Sequence, residues 1–334
     1  LVSMKDLRAM IRMAASGSFL MPEQLEYLRT VLAAVRRLKR FLDTCKMWNY
    51  SAAFYGDELN PLHVLEEEIE KKIRGNRVDE RASKVLEDLC RELERLDQKM
   101  REKADAILRR NSAYCTDSFV TQKNGRLCLP VKKEHRGKIA GAVVDQSATG
   151  MTLFVEPEEV GWMSQERAGY ALAREEEEKR ILYELSAMVA EHAQACTHNA
   201  EVVETLDFMF AKGKLSLDMK AREPQFTRER RIIIKEGRHP FLDDEACVPL
   251  DFCLGGDIRG IVITGPNTGG KTVAIKTVGL FSLMAQCGLH VPCREGIFTM
   301  NSGVYCDIGD GQDISQNLST FSAHITNVLS ILEK

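Results

Sequence analysis

Between residues 79 and 110, apolar side chains recur in alternating three- and four-residue steps: Leu86, Leu89, Leu93, Leu96, Met100 and Ile107, with Lys103 breaking the seam once. This spacing predicts one long packed or coiled helix, about 45 Å in length at 1.5 Å per residue. Two shorter helices precede it. Pro22 suits the first position of a helix reaching about Cys45, and Asn60-Pro61 opens another that reaches Ile73. Helical spacing returns from Glu158 to about Lys212, with a bend expected near Gly161 or Gly169, and Arg174–Arg180 reads as its solvated face. Between the two long helices the period changes. Phe119–Gln122 and Leu127–Val131 flank Asn124-Gly125, a strong hairpin signal. Ile139–Val144 and Met151–Val155, around Ser147–Gly150, predict a second strand pair.

From Arg231 onward the pattern is that of an α/β unit. Ile232–Ile234, Val248–Leu254 and Gly260–Thr264 are short apolar runs, the last expected as a buried parallel strand, and Val273–Gln286 follows with helical spacing. The expected fold class is therefore α/β plus all-α. Residues 1–117 form a helical core, 118–157 an antiparallel β insert, 158–225 a long returning helix, and 226–334 the start of a nucleotide-binding domain.

That last expectation rests on Gly265-Pro266-Asn267-Thr268-Gly269-Gly270-Lys271-Thr272, which has the full G-x-x-x-x-G-K-[ST] spacing of a phosphate-binding loop between strand and helix. The glycines let backbone N–H groups face a phosphate chain, and the helix N-terminus adds partial positive charge. Lys271 would reach the β- and γ-phosphates of ATP, and Thr272 would hold Mg²⁺ through its hydroxyl. An ordinary Gly-rich turn is the plain alternative.

Composition narrows the context. The 334 residues are 44 % hydrophobic and 28 % charged, with a formal net charge of −3, as expected of a globular chain. Ten cysteines without a C-x-x-C pair argue against a structural zinc site and a secreted disulfide framework, and suit a reducing cytosol. The charge-free stretch Thr277–Cys293 is short for a bilayer and is interrupted by Gly and Pro. Charge is unevenly spread. Residues 101–138 hold ten Lys and Arg against four acids, including Lys123, Arg126, Lys132, Lys133, Arg136 and Lys138. Such a window is the footprint of a phosphodiester backbone, or else a lysine-rich hairpin that resists edge pairing. Few aromatics interleave it, which disfavours base stacking there.

Near the end, Asp307 follows a short apolar run and is one candidate Mg²⁺ carboxylate. Ser319 and Thr320 are N-cap candidates for the amphipathic run that follows. Their hydroxyls at a helix start also suit a second phosphate surface, as in ATPases that sandwich nucleotide between two protomers.

Gly237-Arg-His-Pro240, Thr264–Thr272, Asp307-Ile-Gly-Asp310 and Gln316-Asn-Leu-Ser-Thr-Phe321 together resemble the MutS family of ATPases. Leu129-Pro-Val-Lys132, Asp145-Gln-Ser147 and Leu153–Pro157 resemble its type-2 branch, which is bacterial and lacks the mismatch-reading domains. The resemblance implies a helical lever, a clamp-like β insert touching nucleic acid, and an ABC-type ATPase that forms a homodimer around ATP and Mg²⁺. Ser319, Thr320 and Phe321 would then act across the dimer, and Asp307 would not be the principal metal carboxylate. It further implies binding of branched or duplex DNA, control of recombination, action on ribosomes in some bacteria, and a nuclease domain. By that pattern the chain reads as a cytoplasmic fragment that ends before the Asp-Glu strand and the Smr nuclease domain, and so is not expected to hydrolyse ATP. A coiled-coil ATPase of the chromosome-organising type is the alternative, motivated by the two long helices.

Overall fold

The computed structural model describes residues 7–243, 245, 247–266, 269–308 and 317–333, with the backbone alone for 317–324. The chain divides into two compact units, Leu1–Leu206 and Asp207–Lys334.

In the first unit, α1 (Leu7–Ala15), α2 (Pro22–Cys45) and α3 (His63–Lys72) are followed by the long helices α4 (Lys84–Arg110) and α5 (Glu158–Glu191) and the start of α6 (Ala193–Asp218). Their boundaries have local causes. Pro22 occupies the first helical position of α2, and the Met21 N–H donates to Gln24 Oε1 at 2.9 Å. Ser83 caps α4, its hydroxyl accepting from the Leu86 N–H at 3.1 Å. A minimal hairpin, β1 (Ile73–Arg74) and β2 (Arg77–Val78), turns at Gly75 and Asn76, both with positive φ. The main core gathers Leu25, Leu28, Leu32 and Val35 of α2, Leu65 and Ile69 of α3, Leu185 and Val189 of α5, and Ala200 and Val203 of α6.

Helix α5 runs without interruption through Gly161 and Gly169, where a bend is expected from the sequence. The interruption lies at His192, between α5 and α6, with Val189 and Cys196 on either side of it buried in the core.

Helices α4 and α5 pair antiparallel. Ser83 meets Glu177, Asp97 meets Arg167 at 2.6 Å, and Lys103 meets Glu159. The seam of α4 follows Leu86, Leu93, Leu96 and Met100, then shifts to Ala104 and Leu108 instead of Ile107. That shift turns its apolar face onto the β unit, whose core joins Met100, Ala104 and Leu108 with Cys115, Leu129, Val131, Ile139, Val155 and Val160. The sheet comprises β3 (Thr121–Lys123), β4 (Arg126–Lys132), β5 (Gly141–Gln146) and β6 (Thr152–Pro157) in the order β3-β4-β6-β5, every pairing antiparallel. Asn124 and Gly125 take φ of 49° and 77°, the left-handed pair that a two-residue hairpin needs.

The second unit holds a mixed sheet of β7 (Gln225–Thr227), β8 (Arg231–Gly237), β9 (Leu250–Gly255) and β10 (Glu295–Thr299), ordered β7-β10-β8-β9. Only β7 and β10 run parallel. Helix α7 (Lys271–Gln286) packs Phe281, Met284 and Ala285 against Ile234, Val291 and Phe298. Gly237 has no room for a side chain, since a Cβ there would fall 2.9 Å from the Phe281 ring. Helix α8 spans Asn317–Leu332.

Gly260–Thr264 corrects an expectation: it is not a strand. A parallel strand buried on both faces needs a neighbour on each edge. None of the described strands pairs with this run, and it lies exposed, Val262 to 89 %. No helix among the described residues is long and apolar enough to cross a membrane.

One clasp between α4 and α5 is testable. The Arg180 guanidinium, helped by the Ser83 hydroxyl, holds the buried Glu177 carboxyl down at about 2 despite its burial. The folded-state value lies below the ordinary 4.5, so this stability is present above pH 4.5 and lost as pH falls towards 2. Glu177→Gln should remove that acid-dependent loss and cost about 1–2 kcal/mol at neutral pH. Urea unfolding at stepped pH checks both.

Candidate functional site

Three candidate regions carry chemistry, and the loop at Gly265–Thr272, with the spacing of a phosphate-binding loop, comes first. Gly265 has φ of 143°, a conformation that favours glycine, and the Gly269 N–H closes a turn onto the Pro266 carbonyl at 3.0 Å. Gly270 caps α7 in the left-handed region at φ 77°. Asn267 and Thr268 lie outside the described residues. Lys271 is the first residue of α7, and its Nζ donates back across the loop to the Gly265 carbonyl at 2.6 Å. The Lys271 side chain thus reaches back from the helix start to Gly265, with Thr272 exposed beside it. A Cβ built on Gly265 or Gly270 would meet nothing within 4 Å, so these glycines border open space at the helix N-terminus. Loop glycines, lysine and hydroxyl fit a phosphate chain with its metal.

An apolar groove of about 860 Å³ continues from this point. It is lined by Phe252, Leu254, Ile263, Ile275 and Tyr305, with Lys271 and Thr272 among its polar members. Asp307 contacts α8 instead, its Oδ1 accepting from Asn327 Nδ2 at 3.0 Å.

At the start of α8, Ser319, Thr320 and Phe321 belong to the first turn. The helix begins at Asn317, so Ser319 and Thr320 are inside it and not at the N-cap. Their side chains, like Gln316 and Asp310, lie outside the described residues.

The basic window of the β unit separates into two groups. Arg126 donates to the buried Glu156 at 3.0 Å, Arg136 to the Gly141 carbonyl at 2.7 Å, and Lys132 to the Ala113 carbonyl at 3.2 Å. Lys123 lies 4.5 Å over the Phe154 ring and 3.8 Å from Asp145. These four are tied into the fold. Lys133 and Lys138, on the 3₁₀ helix Lys133–Lys138, are exposed and make no ion pair among the described residues. Arg109 and Arg110 end α4 close by, since the same end holds the Tyr114–His135 ring contact at 5.1 Å and the Cys115–Val131 bridge. Charge counting could not separate these groups, because buried Glu156 and the carbonyl acceptors are invisible to it.

All ten thiols are free, and burial pushes Cys128, Cys196 and Cys293 up to about 11, so those three stay neutral at pH 7. No group of metal-ligating side chains of the His, Cys, Asp and Glu type occurs among the described residues.

With this geometry in view, comparison with known proteins gives a consistent result. The family profile for MutS domain V matches residues 261–334, the part that holds the loop and α8. Nearly the whole chain, 98 %, aligns with proteins named endonuclease MutS2. Identity is 41 % with that of Alkaliphilus oremlandii, 43 % with that of Symbiobacterium thermophilum and 40 % with that of Clostridioides difficile. The chain spans about 42 % of the length of each of these relatives. Its resemblance is to the MutS family and, within it, to the MutS2 proteins.

Arg126 has a clear structural consequence. Glu156 is only 4 % exposed, and Ser164 occupies its other oxygen at 3.0 Å. Arg126→Ala should destabilise the β unit by about 2 kcal/mol by leaving a buried carboxylate without its cation. Faster amide exchange across residues 126–156 is the expected readout.

Proposed function

We propose that this chain is the part of a MutS2-type protein that binds ATP with Mg²⁺ and contacts nucleic acid. The observation that carries the reading is Lys271 at a helix N-terminus, its side chain folded back onto the Gly265 carbonyl. When bound, ATP supplies the phosphate charge that draws two nucleotide domains together. Backbone amides at the start of α7 hold that charge, Lys271 neutralises it, and Thr272 presents a hydroxyl to the metal. Ser319, Thr320 and Phe321 are proposed to act on the nucleotide of a second copy in a homodimer. For the chain by itself, weak nucleotide binding without turnover is proposed.

The nucleic-acid end is assigned to Lys133, Lys138, Arg109 and Arg110, whose charges the fold leaves open. Branched or duplex DNA is the proposed ligand, with ribosomal RNA as a second target of the same backbone chemistry. Nuclease activity is in the name of the relatives and is proposed only for a whole protein of their length. A filament-forming ATPase is less well supported, because the apolar seam of α4 is filled by α5 of the same chain.

Calorimetric titration with a non-hydrolysable ATP analogue and Mg²⁺ should give binding that Lys271→Ala weakens at least tenfold; equal affinity in the two would overturn the nucleotide reading. Lys133→Glu with Lys138→Glu should weaken junction and duplex binding alike and reduce the log K against log salt slope by about 2. Filter binding across a salt series measures this.

A further inference from the structure

The aromatic residues missing from the basic β window are concentrated elsewhere in the same unit. In the second half of α2, Arg37, Arg40, Phe41, Thr44 and Trp48 follow steps of three and four residues, so one helix face carries them over about 16 Å. The 3₁₀ turn Lys46–Trp48 continues that helix to Trp48. Asn49, at φ 55°, then reverses the chain and sets Tyr50 beside Trp48, ring centroids 6.4 Å apart and inclined at 43°. Phe41 is 58 % exposed, Trp48 57 % and Tyr50 63 %. Isolated exposed rings are ordinary, but several on one strip mark a contact surface.

The charges beside these rings are sorted as well. Arg36 is engaged by the buried Glu66 through two bonds of 3.0 Å, and Lys39 by the Gly56 carbonyl at 2.6 Å. Lys46 bridges Asp43 and Asp57, so those carboxylates already have a cation. Arg37 and Arg40 are exposed and form no ion pair among the described residues. The open charge on the ring-bearing face is therefore positive.

We propose that this strip binds single-stranded nucleic acid, at a place separate from the β unit. The spacing of Trp48 and Tyr50 is close to twice the roughly 3.4 Å base-stacking distance, so a modest turn of two exposed rings admits one base between them. Phe41, two helical turns before Trp48, offers a further face for stacking. Arg37 and Arg40 lie alongside for the phosphates, in the pairing of aromatic platform and cationic track that single strands require. The two open arginines at the start of the strip supply the charge complementarity that a phosphate backbone asks for, which is why the nucleic acid is favoured.

The protein has two tryptophans, so Trp162→Phe leaves Trp48 as the sole indole reporter. Oligo(dT) and oligo(U) added to that variant should quench its fluorescence, and the two titrations distinguish DNA from RNA as the preferred strand. In a binding assay with labelled oligonucleotide, Trp48→Ala should weaken affinity about tenfold. Arg37→Glu with Arg40→Glu should lower the salt slope by about 1.4. The quench should persist in Lys133→Glu/Lys138→Glu, which keeps this proposal apart from the β-unit reading. No quench by either oligonucleotide would overturn the proposal. So would loss of self-association in Trp48→Ala, measured by light scattering, with oligonucleotide affinity unchanged; that result assigns the strip to a second copy of the chain.

Discussion

A long helix with an apolar stripe cannot remain in water alone, and the first unit is organised around that constraint. Helices α4 and α5 satisfy each other along most of their length, fastened by Ser83 with Glu177, Asp97 with Arg167, and Lys103 with Glu159. Because the pair is antiparallel, the chain leaves and re-enters at one end, and there the β unit is mounted. Its core is continuous with Met100, Ala104 and Leu108 of α4. The sheet is therefore fixed to the helix pair by shared burial, and the open cations at its edge inherit a defined position.

The sequence was readable wherever a local rule decides. The Asn124-Gly125 turn, the Pro22 helix start and the stripe from Leu86 to Met100 follow from short-range sterics and period. Two features were decided at longer range. The α4 seam moves to Ala104 and Leu108 because a sheet, and not another helix, covers it there. The run at 260–264 is apolar enough for a buried strand, yet a strand is a relation between segments, and its own residues do not specify a neighbour.

The candidate site shows the same division. The motif at 265–272 located the loop, and the structure added the inward reach of Lys271. For the basic window, residue type was no guide to role. Arg126 and Arg136 serve the fold while Lys133 and Lys138 face solvent. Lys123 and Lys132 are also tied into the fold while Arg109 and Arg110 stay open, so the acceptors nearby, and not the type of cation, decide the role. The comparisons support the loop's assignment to MutS domain V and extend the likeness through the helices and the β unit.

For the phosphate binding proposed above, the contact from Lys271 to the Gly265 carbonyl would make capture an exchange reaction. The ammonium is already solvated by its own main chain, so an arriving guest must offer more than that carbonyl does. A single weakly charged anion gains little from the swap, whereas a polyanion that also engages the helix amides gains at several points at once. Under the proposed function, the resting position of this one side chain would favour a long phosphate tail over small ions.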